Sequence, residues 1–432
     1  MKIIPLTILI LLSFYACGQP EKDSLHIDLP EYTFINYDAN NLRYDTASPS
    51  MRAFFDKWYS VATTGQGNLN IVHIGGSHVQ AGTMSNTIRC NLMNAYPNLV
   101  GNRGMIFPYS AAAKCNNPHD YRIRCSQKVS LTRNVQKEYP YPLGVCGIGI
   151  TTTDTLTEIS VVLNDTTVDY ATTEVVVLGH SDQNVVPLIY DGYLEIEPTI
   201  IDTVSERFVY ILNHSVDSFS VILSCQPGEN FSLTGIFLGN HQNGFSFHSI
   251  GVNGAAVPSY LRCVNFTRDL RMLQPDLVIF GIGINDAAAP DFDTAIFRSN
   301  YHILIDSIRL INPNCAFVFI TNNDSYRKVR RKRHTYYEVN RNGLLAREVF
   351  YRLADDYDGV VWDQFEIMGG LKSMDTWYKE KLAKKDRIHF TNAGYQLIGN
   401  LFSNAIFNAY MDETARHVPP NMEEVETKQN IF

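Results

Sequence analysis

Two separated stretches of this chain alternate short apolar runs with helical patterns, and this alternation restricts its fold more than any other feature. In the first stretch, the apolar run Leu69–Ile74 precedes Met84–Ala95, whose apolar residues share one helical face. In the second, the run Asp276–Gly281 precedes the helical pattern Thr294–Ile311, and a further strand is expected at Ala316–Thr321. Strands separated by helices form parallel sheets that are covered by helices on both faces. The sequence therefore predicts an α/β domain.

The residues between these two stretches follow a different pattern. From about 124 to 240, short runs rich in Thr, Val, Ile, Tyr and Phe are separated by turn formers, and helical periodicity is nearly absent. Strands are expected at Glu158–Leu163, Thr173–Leu178, Arg207–Leu212 and Ser218–Leu223. This pattern is typical of an all-β sandwich. The predicted organisation is a linker at 18–47, an α/β domain at 48–124 and 241–411, an inserted sandwich at 125–240 and a loose tail at 412–432.

Basic residues cluster at Arg327–Arg333, although the formal net charge of the chain is −8. The acidic balance argues against a nucleic-acid partner. The cluster is expected to form a solvated loop or the start of a helix, with a patch for an anionic ligand as the alternative. A long helix is expected around Tyr337–Tyr357, followed by a strand at Gly359–Trp362 and a last helix at Asn392–Tyr410.

The N-terminus has the pattern of an export signal. Lys2 precedes the apolar run Ile3–Leu12, which is short for a membrane span. The following Phe14-Tyr15-Ala16-Cys17 resembles a bacterial lipobox, so residues 1–17 are interpreted as a signal peptide whose Cys17 becomes lipidated. An ordinary signal peptide with a chance cysteine is the alternative. We expect an exported periplasmic or cell-surface lipoprotein of a Gram-negative bacterium, attached to the membrane by its lipid.

Three polar motifs follow predicted strands or precede the last helix of the α/β domain. Ser77 comes directly after a strand in Gly75-Gly76-Ser77-His78, where small residues leave its hydroxyl accessible. His389 is a suitable base for Ser77, and Asp386, three residues earlier, can orient the imidazole. Asn285 can supply a side-chain donor to an oxyanion, together with the backbone N–H groups of Ser77 and Gly254. Together the motifs predict serine-dependent acyl transfer.

Each motif also has a purely structural interpretation. A serine after two glycines is often only a turn, and an Asn-Asp pair after a strand is often a loop or a cap. Asp386 and His389 could merely cap the last helix. The order of the motifs and their places at strand ends favour the catalytic interpretation.

The motifs resemble those of SGNH hydrolases of the GDSL type. Ser77 matches the serine of the first family block, Asn285 the asparagine of the third, and Asp386 and His389 the last, which continues as Ile388–Tyr395. Gly254 best matches the glycine of the second block, with Gly251 as the fallback. The resemblance implies a flavodoxin-like three-layer α/β/α fold and catalysis without a metal or an organic cofactor. The chain departs from the family at Gly76, where an aspartate is usual.

The position of the insert, between the first two blocks, resembles that in exported peptidoglycan or polysaccharide O-acetylesterases. The insert of those enzymes is similar to a carbohydrate-binding module. This resemblance implies an acetylated glycan as substrate. The further residues expected to contact the substrate or to support the catalytic groups are His78, Gln80, Arg103 and Asp286. Tyr170, Tyr190 and Tyr193 of the insert could stack on a sugar or pack in its core.

The sequence leaves two other functions open. The same triad could transfer an acetyl group to a sugar hydroxyl, which would make the protein an O-acetyltransferase. Alternatively, it could be a glycan-binding lipoprotein whose catalytic site has decayed, an interpretation that rests on Gly76 alone.

Overall fold

The computed structural model describes residues 25–43, 48–95, 101–111, 117–164, 170, 172–240, 244–331 and 334–415. The α-helices are α1 (Pro49–Thr64), α2 (Ser77–Gln80), α3 (Thr83–Asn94), α4 (Val257–Leu261), α5 (Phe266–Leu273), α6 (Ile284–Ala287), α7 (Thr294–Arg309), α8 (Asn342–Tyr357), α9 (Gln364–Ile367), α10 (Ser373–Lys379) and α11 (Asn392–Thr414). The strands are β1 (Leu42–Arg43), β2 (Asn68–Gly75), β3 (Gly101–Asn102), β4 (Gly104–Ile106), β5 (Tyr121–Cys125), β6 (Ser130–Arg133), β7 (Ile148–Thr152), β8 (Thr157–Leu163), β9 (Glu174–His180), β10 (Leu188–Tyr190), β11 (Glu195–Ile196), β12 (Ile200–Asp202), β13 (Arg207–Ile211), β14 (Ser218–Leu223), β15 (Phe231–Gly239), β16 (Gly244–Gly251), β17 (Leu277–Gly281), β18 (Ala316–Ile320), β19 (Tyr326–Arg331), β20 (His334–Val339) and β21 (Val360–Trp362). The lipobox-like Cys17 lies outside the described residues.

The α/β domain is built on a sheet whose strand order is β1-β21-β18-β17-β2-β16-β3. All neighbouring strands run parallel except β1, which pairs antiparallel with β21. Alternate residues of the central strand β17 belong to two hydrophobic clusters, one on each face of the sheet. Val278 and Phe280 share a cluster with α7 and α8. Leu277 and Ile279 share the other with α1, α3 and α11. Because the sheet is buried on both faces, its strands read as continuous apolar runs. The predicted three-layer α/β/α fold is confirmed.

The insert consists of two antiparallel sheets that share one core. The first has the strand order β11-β10-β14-β8-β5, and the second has β12-β13-β9-β15-β7-β6 with β4 paired to β15. Apolar residues of both sheets, including Val161 of β8 and Val177 of β9, belong to the same buried cluster. The predicted β-rich insert is therefore confirmed. Its strands begin at Gly104 and Tyr121, before the predicted boundary at 125, because β4 and β5 are too short to show a clear alternation.

Residues 25–43, expected to belong to a linker, instead pack on the α/β domain. Leu42 and Arg43 form the edge strand β1. Asn40 is buried, where its side chain accepts a hydrogen bond from Trp362 Nε1 at 2.9 Å and donates to the carbonyl of Leu401 at 2.9 Å. In the sequence, a buried polar residue such as Asn40 cannot be distinguished from an exposed loop residue. The polar composition of this segment therefore led to the wrong expectation of a linker.

The long helix expected at Tyr337–Tyr357 begins only at Asn342. Tyr337 lies in β20, which pairs antiparallel with β19 to form a separate hairpin. The basic cluster thus begins in a strand, neither in a loop nor at a helix start, and residues 332–333 lie outside the described residues. The last helix continues to Thr414, into the segment expected to be a tail. Among the described residues, no helix combines the length and apolar character that crossing a membrane would require.

Candidate active site

Three adjacent strands end together and position the first set of polar residues. Gly75 of β2 is paired with Gly251 of β16 on one side and with Gly281 of β17 on the other. The loops after these strands carry Ser77, Gly254 and Asn285. Ligands of open α/β sheets bind at the carboxyl ends of the strands, so this edge is where a site is expected.

Ser77 begins α2 directly after the turn at Gly76. A Cβ atom on Gly76 would lie 3.2 Å from Asn285 Nδ2 and 3.4 Å from the carbonyl oxygen of Ala255. Such contacts are tighter than most real side chains make, so a glycine allows the turn to approach the asparagine closely. Gly76 departs from the aspartate expected by resemblance, but its neighbours leave little room for a side chain at this position.

A continuous chain of hydrogen bonds connects Ser77, His389 and Asp386. Ser77 Oγ lies 2.7 Å from His389 Nε2, and His389 Nδ1 lies 2.8 Å from Asp386 Oδ2. Asp386 Oδ1 accepts the backbone N–H groups of Ile388 and His389, each at 3.0 Å. A carboxylate only accepts, so His389 carries its proton on Nδ1 and presents Nε2 as the acceptor for the Ser77 hydroxyl.

The surroundings of Asp386 keep it ionised. Burial by itself opposes the charged form, but the hydrogen bonds from the His389 ring and from the backbone N–H groups outweigh it and hold its pKa below the usual range. The catalytic loop is further held by the Lys384 N–H, which donates to the His389 carbonyl at 2.7 Å. The base and its orienting carboxylate are therefore fixed by the backbone of one short loop.

Gly254 and Asn285 each have an N–H group that is available for an oxyanion. Gly254 has φ +84°, a conformation that glycine adopts without strain, and no acceptor for its N–H is found among the described residues. Asn285 Nδ2 donates one hydrogen to the carbonyl of Ala255 at 2.8 Å, which leaves its second hydrogen for another acceptor. Ser77, Gly254 and Asn285 line one pocket with His389.

Gln80 and Asp286 hold the loop that carries Gly254. Gln80 Oε1 accepts the Asn253 N–H at 2.6 Å, and both carboxylate oxygens of Asp286 lie 3.2 Å from the Val257 nitrogen. Burial raises the pKa of Asp286 to about 6, although the Val257 N–H opposes this shift. Gln80 therefore holds this loop before Gly254 and Asp286 holds it after Gly254. Gln80 also lines the pocket.

His78 supports the site without lining the pocket. Its Nδ1 is 2.8 Å from the Tyr395 hydroxyl, and its ring centroid is 5.4 Å from that of His389. Burial lowers the pKa of His78 to about 3, with a further contribution from His389, so the ring is neutral at physiological pH. Its buried Nε2 borders a separate cavity of about 30 Å³. Of the two roles expected for His78, support or substrate contact, its position outside the pocket favours support.

Arg103 was expected to support the site or to contact the substrate, and direct contact with the substrate is excluded. Its side chain is 1% exposed and forms an ion pair with Asp120, which also pairs with the equally buried Arg89. Tyr170 is buried and accepts a hydrogen bond from Arg89 Nε at 2.8 Å, so it cannot stack on a sugar. Arg103 instead joins the insert to the α/β domain. Tyr193 is 81% exposed and remains accessible.

Ser77, Asp386 and His389 line an open pocket of about 510 Å³. Its other lining residues, which sequence patterns did not identify as contacts, are Ala81, Asn117, His119, Asn253, Lys384, Asn392 and Tyr395. Asn392 Nδ2 lies 3.3 Å from His119 Nε2, so the two sides of the pocket meet there. Asn392 and Tyr395 lie in the family-like segment after His389, but no pattern marks Asn117 or His119.

Residues 235–397 match the GDSL-like Lipase/Acylhydrolase family. The matched range includes Gly254, Asn285, Asp386 and His389, whereas Ser77 lies before it. No curated protein matches the chain.

Solved structures that are similar to this chain differ in how much of it they cover. A structure described as a peptidoglycan O-acetylesterase in action is similar over 85% of this chain and 98% of its own, with 18% identity and a TM-score of 0.68. A putative GDSL-like lipase from Parabacteroides merdae has 16% identity, 40% and 73% coverage and a TM-score of 0.29. A carbohydrate esterase family 3 from Talaromyces cellulolyticus has 14% identity, the same coverage and a TM-score of 0.29. The first likeness shows a common fold that includes more than the α/β domain.

Proposed function

We propose that this chain, which carries a GDSL-like lipase/acylhydrolase domain with an SGNH hydrolase fold, is a serine esterase that removes O-acetyl groups from a glycan. The observation that supports this function best is the hydrogen-bond chain from Ser77 through His389 to Asp386 at the floor of an open pocket. The geometry meets the requirements of nucleophilic acyl transfer, since nucleophile, base and orienting acid are all within hydrogen-bonding distance.

In the first step, Ser77 Oγ attacks the carbonyl carbon of the acetyl ester while His389 Nε2 takes the hydroxyl proton. The negative charge that develops on the carbonyl oxygen is stabilised by N–H groups of Ser77, Gly254 and Asn285. Asp386 stabilises the imidazolium that forms. When the C–O bond to the sugar breaks, His389 returns the proton to the departing sugar hydroxyl and an acetyl-serine remains.

In the second step, a water molecule loses a proton to His389 and attacks the acetyl-serine. The same donors stabilise the second tetrahedral intermediate. Its collapse breaks the bond to Ser77 Oγ, which regains a proton from His389, and acetate is released. One ester and one water are consumed, and the enzyme returns to its starting state.

The pocket lining favours a sugar over a long acyl chain. Most of the lining side chains are amides, hydroxyls, imidazoles or charged groups, and no long apolar slot adjoins Ser77 among the described lining residues. Sugar hydroxyls require such donors and acceptors, whereas a fatty acyl chain would require apolar walls. The fold shared with a structure described as a peptidoglycan O-acetylesterase agrees with this choice.

Acetate release from O-acetylated glycans by the purified protein tests the proposal. The wild type is expected to release acetate, and Ser77→Ala to lose at least about 10³-fold in kcat, since the nucleophile is absent. Thermal unfolding of both proteins checks that the variant is folded. Equal rates for the two proteins would refute a serine esterase.

We also infer export and lipid anchoring from residues 1–17. This inference rests on the apolar run and the lipobox-like Cys17 alone. Expression of wild type and Cys17→Ala in a Gram-negative host with labelled palmitate tests it. Label in the wild type only, with the variant released from the membrane fraction, is the expected result. Equal labelling of both proteins would contradict lipidation at Cys17.

A further inference from the structure

The hairpin formed by β19 and β20 is attached to the loop that carries the catalytic acid and base. The Tyr326 N–H donates to the carbonyl of Arg387 at 3.2 Å, and the Tyr326 hydroxyl donates to Asp375 Oδ2 at 2.6 Å. Arg387 Nε donates to the other oxygen of Asp375 at 3.0 Å, and its guanidinium lies 4.3 Å from the ring centroid of Tyr378. The base of the hairpin thus contacts Arg387, the residue after Asp386, and its placement is fixed by several contacts.

One face of this hairpin presents two cations, Lys328 and Arg330, for which the described residues provide no acidic partner. Lys328 and Arg330 are exposed and alternate with Arg327 and Val329, so they lie on the same face of the strand. Neither makes an ion pair among the described residues. Arg327 is different, because its partner across the strands is Glu338.

Tyr337 adds an aromatic surface to the same face. It is directly opposite Lys328 in the hairpin and 40% exposed. The guanidinium of Arg387 lies 6.0 Å from its ring centroid, on the side of the catalytic loop. An exposed ring between cationic groups offers a flat apolar contact beside charges.

A further unpaired cation lies in the catalytic pocket itself. Lys384 lines the pocket together with Ser77, and its side chain is exposed. In the part of the chain that the structure describes, neither Lys384 nor the adjacent exposed Lys385 forms an ion pair. Unpaired cations thus lie both in the pocket, at Lys384, and on the hairpin whose Tyr326 contacts Arg387 of the same loop.

We propose that the substrate is an acidic glycan. Its carboxylates bind Lys384 in the pocket and Lys328 and Arg330 on the hairpin, while one of its acetylated sugars lies in the pocket beside Ser77. This assignment rests on the proposed function and specifies its substrate class. The whole chain carries a formal net charge of −8, so an anionic polymer needs a local surface of opposite sign to approach the site. Unpaired cations beside a pocket provide such a surface, and their attraction weakens with salt.

An anionic lipid surface is the competing partner for the hairpin. A membrane could neutralise Lys328 and Arg330, but it does not explain why Lys384 lies in the same pocket as the nucleophile. A polymer that threads the pocket and continues along the loop explains all three residues. The glycan is therefore the partner that the observations favour.

The test compares one O-acetylated polyuronic acid with the same polymer after chemical reduction of its carboxyl groups. The carboxyl groups are reduced before acetylation and both polymers are then acetylated to the same degree, so they share the backbone and the acetyl esters and differ in charge. The measured quantity is the ratio of kcat/KM for acetate release, charged over reduced polymer. For the wild type we expect a ratio of about ten or more, which decreases as salt is added.

Variants locate the charges responsible. Lys384→Gln and the double variant Lys328→Gln/Arg330→Gln are each expected to lower the ratio about fivefold, while Lys384→Arg retains it. Arg352→Gln is the matched control, since it removes one exposed charge from the second half of α8, toward the opposite end of the sheet. Circular dichroism and thermal unfolding establish that each variant is folded.

Three results would overturn the inference. A wild-type ratio near one would show that charge does not matter, and an unchanged ratio in both variants would show that these cations do not recognise it. If the double variant instead loses binding to phosphatidylglycerol vesicles and keeps the ratio, the hairpin binds membranes. Failure of the proposed function is distinguishable, because the wild type would then release acetate from neither polymer.

Discussion

Replacement of Asp386 by asparagine tests how the catalytic base is held. In the wild type, Asp386 Oδ1 accepts two backbone N–H groups at 3.0 Å, and Oδ2 faces His389 Nδ1 at 2.8 Å. The amide oxygen of the asparagine would occupy the position facing the two N–H groups. Its NH₂ group would then donate to His389 Nδ1, so the ring proton would move to Nε2 and point at Ser77. In this tautomer the ring cannot accept the serine proton.

The size of the effect follows from the cost of the alternative orientation. Turning the amide to restore the correct tautomer removes two hydrogen bonds and places NH₂ against two N–H donors. At about 1 kcal/mol for each lost bond and about 1 kcal/mol or more for each unsatisfied donor, the cost is about 4 kcal/mol. This corresponds to about a 10³-fold loss of the productive form. Loss of the charge that stabilises the imidazolium increases the expected fall in kcat to about 10⁴-fold.

Hydrolysis of 4-nitrophenyl acetate by purified Asp386→Asn measures this loss without assuming a glycan. Asp412→Asn, which changes an exposed carboxylate on α11, is the matched control and is expected to keep wild-type kcat. Both variants should unfold near the wild-type temperature. A kcat for Asp386→Asn within about tenfold of the wild type would refute the reasoning, because the carboxylate would then not set the tautomer.

Three further changes have expected outcomes. Gly76→Ala and Gly76→Asp should both lower kcat about tenfold, since either Cβ crowds the Asn285 amide; full activity in the alanine variant would contradict this. Asp120→Asn should lower the free energy of unfolding in urea by about 3 kcal/mol or more, because it leaves two buried arginines without a carboxylate; a loss below about 1 kcal/mol would show that the pair is not critical. Burial raises the pKa of Asp286 to about 6 in the folded protein, above its unfolded value of about 3.9. The folded state therefore holds the proton more tightly. The stability that this supplies is present below about pH 4 and is lost as the pH rises to about 6. Urea unfolding across this range should therefore show the wild type losing stability relative to Asp286→Asn, and parallel curves would contradict the raised pKa.

The fold and the arrangement of Ser77, His389 and Asp386 could be predicted because their signals are local and mutually consistent. A buried parallel strand reads as an apolar run, and a nucleophile must follow such a strand at an accessible turn, as Ser77 does after β2. His389 and Asp386 lie three residues apart, so their pairing was visible from spacing alone. The structure adds how Gly76 fits against Asn285, which no spacing reveals.

The remaining features depend on contacts between distant parts of the chain. Asn117 and His119 line the pocket only because the insert begins beside the catalytic loop, and nothing in their own sequence marks them. For Arg103 the sequence left both support and substrate contact open, and only the structure shows its buried ion pair with Asp120. The hairpin was missed because a run of basic residues followed by the adjacent Tyr336 and Tyr337 lacks the strict alternation of apolar and polar residues that indicates a strand.

The central claim is that Ser77 becomes acetylated during turnover. The most direct measurement is mass spectrometry of the protein quenched with acid within milliseconds of mixing with 4-nitrophenyl acetate, followed by mapping of the modified peptide. The predicted result is one added acetyl group on Ser77 in the wild type and none on the same peptide of Ser77→Ala. An acetyl group on another residue during turnover, or wild-type turnover by Ser77→Ala, would contradict the account.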